Sequence, residues 1–294
     1  MLKKYLYRPI TLKFIKAEMK EESPLITRRK KLSASNRQKP INGKPKIVGK
    51  VEYHRKFYSK TLNNRRDIVV WLPPSYKKEK QRRYPVLYMH DGQNIMDPRT
   101  AYIGVDWQID ETVSRLIKSG DLQEIIVVGI YNTPERLEEY SDSVKGKNYM
   151  KFMVEQLKPF IDKYYRTLPG KEYTATMGSS MGGLISFLLA WNYPDVFGRT
   201  ACMSSSFYYD GDKAINMVRD YKGEKKKIKI YIDHGEDGLP RGQKMFCELS
   251  QKGYLIGTDI DYYYSPGADH TESEWARRIQ RPLLFFFGTR IDYK

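Results

Sequence analysis

The chain contains 294 residues and carries a formal net charge of +17, from 52 Lys and Arg against 35 Asp and Glu. Its length and its hydrophobic content of 40% indicate a globular protein with a sizeable core and exclude a wholly disordered chain. The charge is uneven, because residues 1–60 hold 18 basic and only 4 acidic residues. We therefore predict a basic, flexible leader over residues 1–46 and a near-neutral folded domain over residues 47–294.

The leader is too polar to fold by itself. Residues 27–46, TRRKKLSASNRQKPINGKPK, offer almost no apolar side chains to bury. Such a segment serves either as a solvated tail or as an electrostatic contact for an anionic partner. Aromatic residues are sparse between Phe14 and Tyr53, which disfavours a base-stacking platform for nucleic acid.

Targeting signals are weak in this sequence. Arg8, Lys13 and Lys16 interrupt the apolar run that a secretory signal peptide requires. No stretch approaches the roughly 18 apolar residues of a membrane-spanning helix. Cys202 and Cys247 both lie in apolar stretches, as expected for buried thiols in a reducing compartment. The sequence therefore predicts a cytoplasmic protein without a membrane span.

Strand-like and helical patterns alternate after residue 46. Several of the strand-like runs are continuously apolar, as in strands that are covered on both faces of a parallel sheet. The clearest helical pattern covers residues 150–164, and Pro159 is expected to kink it. The alternation predicts an α/β fold with a mostly parallel central sheet flanked by helices and without a large cap domain. The predicted strands are residues 66–72, 84–90, 124–131, 173–177, 199–204, 227–233 and 259–265, and the other predicted helices are residues 109–118, 182–192, 240–252 and 273–287.

One strand-to-helix junction has the sequence of a nucleophile elbow. Residues 178–182, GSSMG, fit the pattern G-x-S-x-G, which in α/β-hydrolases exposes a catalytic serine on a tight turn. Glycines suit the strained turn and the close packing of the following helix, and Gly183 leaves further room. Ser180 is the predicted nucleophile. The alternative is an ordinary turn in which a serine caps the helix.

A catalytic serine needs a base, usually an oriented histidine. In this fold the order along the chain is serine, acid, histidine, which excludes His54 and His90. His234 ends a strand, whereas His270 lies in the loop between the last strand and the last helix. His270 is therefore the predicted general base. The four histidines show no metal-ligand spacing, so no metal site is predicted.

Three carboxylates follow the strand at residues 227–233 and compete for the role of triad acid. Asp237 is favoured because it lies in a loop at the carboxyl edge of the sheet, where catalytic groups gather. Asp233 and Glu236 remain alternative candidates for the triad acid.

The oxyanion of an acyl-transfer intermediate requires backbone donors. The amide of Met181, directly after the nucleophile, is one candidate. The sequence LYMHDGQNIMD at residues 87–97 supplies the other, because Gly92 is expected to turn the chain and direct the amide of Gln93 into the site. His90 in the same loop is expected to have a structural role.

From about residue 48 onward the sequence resembles the Putative esterase family of α/β-hydrolases, which includes esterase D, enterochelin esterases and feruloyl esterases. The segments that carry the resemblance include RRDIVVWLPPSY, YPVLYMHDGQNIMD, MGSSMGGLISFLLAWNYPDVFG and PGADHTESEWARRI. The resemblance implies ester hydrolysis through Ser180 and His270 without metal or organic cofactor. The leader has no counterpart in it.

The expected substrate is a small-molecule or glycan ester, such as a sugar-linked or siderophore-type ester. Trp107, Tyr208 and Trp275 are candidates for its binding site, although aromatic residues in a chain with 24 Tyr are also typical core and surface residues. Two other functions are compatible with the same sequence. One is acyl transfer by the same residues, and the other is a catalytically silent hydrolase fold that binds a partner. The sequence does not determine the oligomeric state.

Overall fold

The computed structural model of the chain describes residues 47–236 and 239–289. The predicted leader and the favoured acid, Asp237, lie outside the described residues. Within the described ranges, every helix is too short or too polar to cross a membrane.

An eight-stranded sheet forms the centre of the domain, with the order β1-β2-β4-β3-β5-β6-β7-β8. The pairs β1–β2 and β2–β4 are antiparallel, and all other neighbours are parallel. This confirms the predicted α/β-hydrolase type of fold with a mostly parallel sheet. The strands are β1 Lys50–Ser59, β2 Asn64–Leu72, β3 Val86–His90, β4 Ile126–Ile130, β5 Thr174–Ser179, β6 Arg199–Met203, β7 Lys229–His234 and β8 Ile260–Tyr264.

Seven of these strands correspond to the seven predicted runs, and β1 was not predicted. The inner strands β3, β4 and β5 are buried at every residue, which explains their apolar sequences. Strand β1 lies at the edge of the sheet, and most of its side chains are exposed or half-buried. Its sequence, KVEYHRKFYS, is charged, as is common at sheet edges, and it therefore lacks an apolar signal.

Helices flank the sheet, and every predicted helical segment is helical, although the helix predicted over residues 273–287 is divided into two. The most deeply buried is the helix after β5, in which residues 181–191 are all buried. The helices are α1 Ile109–Lys118, α2 Arg136–Glu139, α3 Val144–Lys151, α4 Lys158–Tyr164, α5 Met181–Asn192, α6 Tyr209–Asp220, α7 Leu239–Gln251, α8 Glu272–Arg278 and α9 Gln280–Phe287.

Pro159 is accommodated in a way that differs from the expected kink. A π-helical segment, Phe152–Leu157, joins α3 to α4, and the Lys158 N–H donates to the carbonyl of Met153, five residues back. Proline lacks an N–H and its ring crowds the carbonyl four residues before it. The wider π turn precedes this position, and Pro159 then lies in the first turn of α4.

The register of the sheet brings the ends of four strands into line. Ser179 of β5 pairs with Met203 of β6, Met203 pairs with Asp233 of β7, and Asp233 pairs with Tyr263 of β8. The loops that follow these strands therefore leave the sheet side by side at its carboxyl edge. Ser180 follows β5 at this edge. The loop after β7 and the loop after β8, which carries His270, begin at the same edge.

Candidate active site

Ser180 adopts the strained backbone expected of an elbow. Its φ is 55° and its ψ is −124°, a region that residues with a side chain rarely occupy. The neighbouring glycines permit the turn. A Cβ added to Gly178 would lie 2.5 Å from the carbonyl carbon of Gly182, and one added to Gly183 would lie 3.0 Å from Cβ of Ser205. The first contact would be with a backbone atom, which cannot rotate away as a side chain can, so position 178 requires glycine.

The elbow is tied to the loop that follows β6. The Ser180 N–H donates to the carbonyl of Met203 at 3.0 Å, and the Ser206 N–H donates to the carbonyl of Ser180 at 3.0 Å. The hydroxyl of Ser180 lies 3.2 Å from the hydroxyl of Ser206. Ser180 is half-buried, whereas Ser206 is 1% exposed. Buried groups of the loop after β6 therefore hold the backbone and the hydroxyl of Ser180, and Ser180 itself remains partly exposed.

The turn after β3 lies against the first turn of α5. A Cβ added to Gly182 would lie 3.2 Å from Oδ2 of Asp91 and 3.4 Å from Cβ of His90. Met181 opens α5, and the N–H groups of a first helical turn have no acceptor within the helix. The amide of Met181 therefore lies in a helical turn that packs against the turn after β3.

Gln93 is the middle residue of the short 3-10 turn Gly92–Asn94. Its side-chain Oε1 accepts a hydrogen bond of 3.2 Å from the backbone N–H of Asn132, just after β4. The role of Gly92 differs from the expected one. Asp91, with φ 56°, has the left-handed backbone, while a Cβ on Gly92 would lie 2.5 Å from the carbonyl carbon of Gly129. Glycine at 92 therefore allows the turn to pack directly on β4.

His270 lies on the loop between β8 and α8, and it is exposed. Its ring contacts Trp275 edge to face, with ring centroids 4.9 Å apart. Trp275 in turn contacts Trp107, with centroids 5.5 Å apart. The two indoles are 5% and 2% exposed and belong to the hydrophobic core. Such burial leaves them little surface for a substrate, and it makes them a packed support for the His270 ring.

Of the three predicted substrate contacts, Tyr208 is the exposed one. It is 60% exposed and immediately precedes α6, two residues after Ser206.

Asp233, at the end of β7, is engaged in a buried ion pair. The guanidinium of Arg278 donates to both of its carboxylate oxygens, at 3.1 and 3.2 Å. The hydroxyl of Tyr231 donates to Oδ2 at 2.9 Å, and the N–H of Ser204 donates to Oδ1 at 3.2 Å. These donors occupy both oxygens of the Asp233 carboxylate, which acts as a structural counter-ion for Arg278.

Glu236 links the loop after β7 to the loop that carries His270. Its carboxylate accepts from the hydroxyl of Tyr264 and, at 3.1 Å, from the N–H of Gly267. Its own N–H donates to the carbonyl of Ala268 at 3.3 Å. The Tyr264 hydrogen bond, with that from Gly267, lowers the pKa of Glu236, so the carboxylate is charged at neutral pH. A Cβ on Gly235 would lie 2.0 Å from the carbonyl oxygen of Ala268, which shows how closely the two loops pack.

A charged cluster that the sequence did not reveal adjoins the elbow. Arg136 of α2 donates to both carboxylate oxygens of Asp91, each at 2.7 Å, and Asn132 donates to Asp91 Oδ1 at 2.6 Å. Burial raises the pKa of the nearby Glu272, an effect that the charge of Asp91 adds to and that His270 and Arg136 oppose. Arg136 lies in α2 and Asp91 in the turn after β3, 45 positions earlier, so no sequence signal pairs them.

His90 has the structural role that was expected. It is 1% exposed, its Nδ1 lies 2.8 Å from the hydroxyl of Tyr149, and its Nε2 lies 3.1 Å from the hydroxyl of Thr176. Complete burial lowers its pKa to about 3, so the imidazole is neutral. The ring joins β3 to β5 and α3.

Asp106, Asp110 and Glu111 are the acidic group of the described residues whose oxygens, within 4.8 Å of one another, could hold a cation. Oδ2 of Asp110 already accepts from the N–H of Val48 at 2.6 Å. Burial and then the neighbouring Glu111 raise the pKa of Asp110 to about 8. The group therefore fits a carboxyl pair that retains a proton.

Comparison with known proteins places the chain among esterases. A family model described as Putative esterase matches residues 59–286. An endo-1,4-beta-xylanase/feruloyl esterase of Xylanibacter ruminicola is 26% identical over 235 residues, and this match covers 79% of the chain but only 30% of that longer protein. The uncharacterized protein YbbA of Bacillus subtilis is 27% identical over 249 residues, with 76% of this chain and 93% of that protein covered.

Solved structures share the fold at low sequence identity. A ferulic acid esterase has a TM-score of 0.66 and 22% identity, with 82% of this chain and 98% of that chain covered. The enterobactin esterase FES from Shigella flexneri, in the presence of enterobactin, has a TM-score of 0.68 and 15% identity, with 80% and 58% covered.

Proposed function

This chain belongs to the Putative esterase family, and from that premise we propose that it is a serine carboxylic-ester hydrolase that acts through an acyl-enzyme on Ser180. The observation that carries the proposal is the left-handed backbone of Ser180 between β5 and α5. A strained conformation at a serine, held by glycines and buried hydrogen bonds, is a feature that folding alone does not require.

In the proposed mechanism, His270 accepts the proton of Ser180 as Oγ attacks the ester carbonyl. The amides of Met181 and Gln93 donate to the oxyanion, and the first turn of α5 adds the positive end of its dipole. The alcohol then leaves with the proton from His270. Water attacks the acyl-enzyme with His270 as base, the acid is released, and Ser180 regains its proton.

We propose Asp237 as the acid that orients His270. The hydrogen bonds of its rivals support this choice, because Asp233 neutralises Arg278 in the interior and Glu236 joins the two loops. Asp237 follows Glu236 directly, and the loop that contains them packs on the loop of His270 through Gly235 and Ala268. The strand before this loop, β7, ends at the same edge of the sheet as β8, which precedes the loop of the base.

The substrate is proposed to be a sugar-linked or siderophore-type ester, in keeping with the feruloyl and enterobactin esterases that the chain resembles. Tyr208 is proposed to contact it, since that residue is exposed and follows Ser206 by two positions in the chain. Acyl transfer to an alcohol in place of water uses the same residues, and analysis of products with a sugar acceptor separates the two reactions. A cytoplasmic location and an anionic partner for residues 1–46 remain predictions from the sequence.

The proposal is tested with a fluorophosphonate probe, which reacts covalently with activated serines, and with p-nitrophenyl acetate hydrolysis. The proteins compared are the wild type, Ser180→Ala and, as matched control, Ser179→Ala, which removes the adjacent, buried hydroxyl. We expect labelling and turnover in the wild type and in Ser179→Ala, and neither in Ser180→Ala. A folded wild type that does not label contradicts the proposal and favours the silent binding protein.

A further inference from the structure

A buried serine, Ser206, lies next to the proposed nucleophile. The sequence MSSSF at residues 203–207 follows β6 and places three serines in a row. All three are buried, yet their hydroxyls have different surroundings. Ser204 Oγ accepts from Arg278 at 3.0 Å, Ser205 Oγ has no hydrogen-bond partner within the described part of the chain, and Ser206 Oγ lies 3.2 Å from Ser180 Oγ.

The position of Ser206 is determined by its backbone as well as by its side chain. Its N–H donates to the carbonyl of Ser180, and its carbonyl accepts from the N–H of Tyr209. Ser204, two residues earlier, has a positive φ of 40°, which turns the chain back toward the elbow. The buried pair of Asp233 and Arg278 holds Ser204 by its N–H and its hydroxyl. The hydroxyl of Ser206 is therefore pre-organised against Ser180.

We infer that Ser206 is a further residue of the catalytic site, whose hydroxyl orients Ser180 Oγ and donates to it when negative charge develops there. The inference rests on the proposed function of Ser180. In the resting protein either hydroxyl can donate to the other, and the hydrogen bond is between neutral groups. When Ser180 gives its proton to the base, Ser206 is the member of the pair that still has a proton to donate.

The hydrogen bond then becomes charge-assisted, which makes it shorter and stronger than in the ground state. Interactions that strengthen only as charge develops lower the barrier, whereas those already present in the ground state do not. The same donation assists the second half of the reaction, in which Ser180 Oγ leaves the acyl group and again carries negative charge. Ser206 keeps its own proton throughout, so His270 remains the base in both steps.

Burial strengthens the hydrogen bond between Ser206 and Ser180. At 1% exposure, its hydroxyl is shielded from water, and a hydrogen bond in such surroundings is electrostatically stronger than one in solvent. It also holds Ser180 Oγ in one orientation, although Ser180 itself is only half-buried.

The three serines offer their own control. Ser206→Ala removes the proposed donor, and Ser206→Cys keeps a side chain of similar shape with only a weak donor. Ser205→Ala removes the neighbouring hydroxyl, which is also buried and has no hydrogen-bond partner among the described residues. Second-order rate constants of fluorophosphonate labelling and kcat and KM for p-nitrophenyl acetate are measured for each, with the Tm of thermal unfolding.

We expect Ser206→Ala and Ser206→Cys to label about 10-fold to 100-fold more slowly than the wild type, with a similar loss in kcat and little change in KM. We expect Ser205→Ala to keep the rate of the wild type. A Ser206→Ala or Ser206→Cys protein that labels at the rate of the wild type overturns the inference. So does an equal loss of rate in Ser205→Ala, since the effect would then be one of loop packing. Failure of the proposed function is distinct, because in that case the wild type itself does not label or Ser180→Ala does.

Discussion

Arg278 and Asp233 form a buried, bidentate ion pair that contacts Ser204 in the loop after β6. Nη2 and Nε of Arg278 lie 3.1 and 3.2 Å from the two carboxylate oxygens, and the side chains of Arg278 and Asp233 are 4% and 0% exposed. The same guanidinium donates to Ser204 Oγ. Asp233, although it is one of the acids that follow β7, thus stabilises the fold as the counter-ion of Arg278.

Asp233→Asn is expected to destabilise the fold by about 3–5 kcal/mol, because it leaves the charge of Arg278 buried without a counter-charge. Urea unfolding measures the loss. Activity per folded molecule is expected to fall far less than in Asp237→Asn, which should lose on the order of 1,000-fold or more in kcat with little change in stability. The opposite pattern, a stable but inactive Asp233→Asn, would identify Asp233 as the triad acid.

Gly178→Ala is expected to disrupt the elbow. The new methyl group would meet the carbonyl carbon of Gly182 at 2.5 Å, and neither backbone segment can move without displacing β5 or α5. We expect a loss of about 3 kcal/mol or more, seen as a lower Tm and less soluble protein. Ser179→Ala, one residue along the same buried strand, serves as the control and should cost about 1 kcal/mol. An unchanged Tm for Gly178→Ala would contradict the close packing of the turn.

His90 is expected to make the protein sensitive to acid. Its pKa is about 3 in the folded protein, because burial disfavours the imidazolium, against an ordinary value of 6.5. The folded pKa is depressed, so the unfolded chain binds the proton first. The stabilisation is complete above pH 6.5 and is lost by about 1.4 kcal/mol per pH unit as the pH falls from 6.5 toward 3.

Urea unfolding between pH 4.5 and 8 tests this dependence. His90→Gln can still bond to Tyr149 and Thr176 but does not titrate, so its stability should fall less steeply with acid than that of the wild type. His54→Gln is the comparison, since His54 is only half-buried and its pKa is lowered less. Identical slopes for the wild type and His90→Gln would show that another group governs acid unfolding.

Tyr264→Phe is expected to loosen the histidine loop. The variant removes the donor to Glu236 and leaves that carboxylate with the N–H of Gly267. We expect kcat for ester hydrolysis to fall about 3-fold to 10-fold, since a small displacement of a catalytic base is costly. The Tm should change little, because Glu236 is exposed. Tyr263→Phe, on the opposite face of the same strand, should be neutral in kcat, and an equal effect of the two variants would argue against the loop contact.

Local sequence was sufficient for much of the fold. Seven strand-like runs were predicted, and several of them are continuously apolar because strands buried on both faces carry apolar residues throughout. The edge strand β1 was missed for the converse reason, since its exposed side chains carry charges. Pro159 was correctly seen as a disturbance of its helix, but the form of the disturbance, a π-helical segment ahead of it, depends on how the helix packs.

The elbow is the part of the site that follows from local sequence alone. Glycines at 178, 182 and 183 around Ser180 follow from the space and backbone angles of a tight turn between neighbours in the chain. The tertiary structure decided what surrounds it. It buried Trp107 and Trp275 behind His270, paired Asp233 with Arg278, and set Ser206 against Ser180. His270 and Trp275 are 5 positions apart, but the other three contacts join residues 26, 45 and 168 positions apart, which the register of the parallel strands brings to one edge of the sheet.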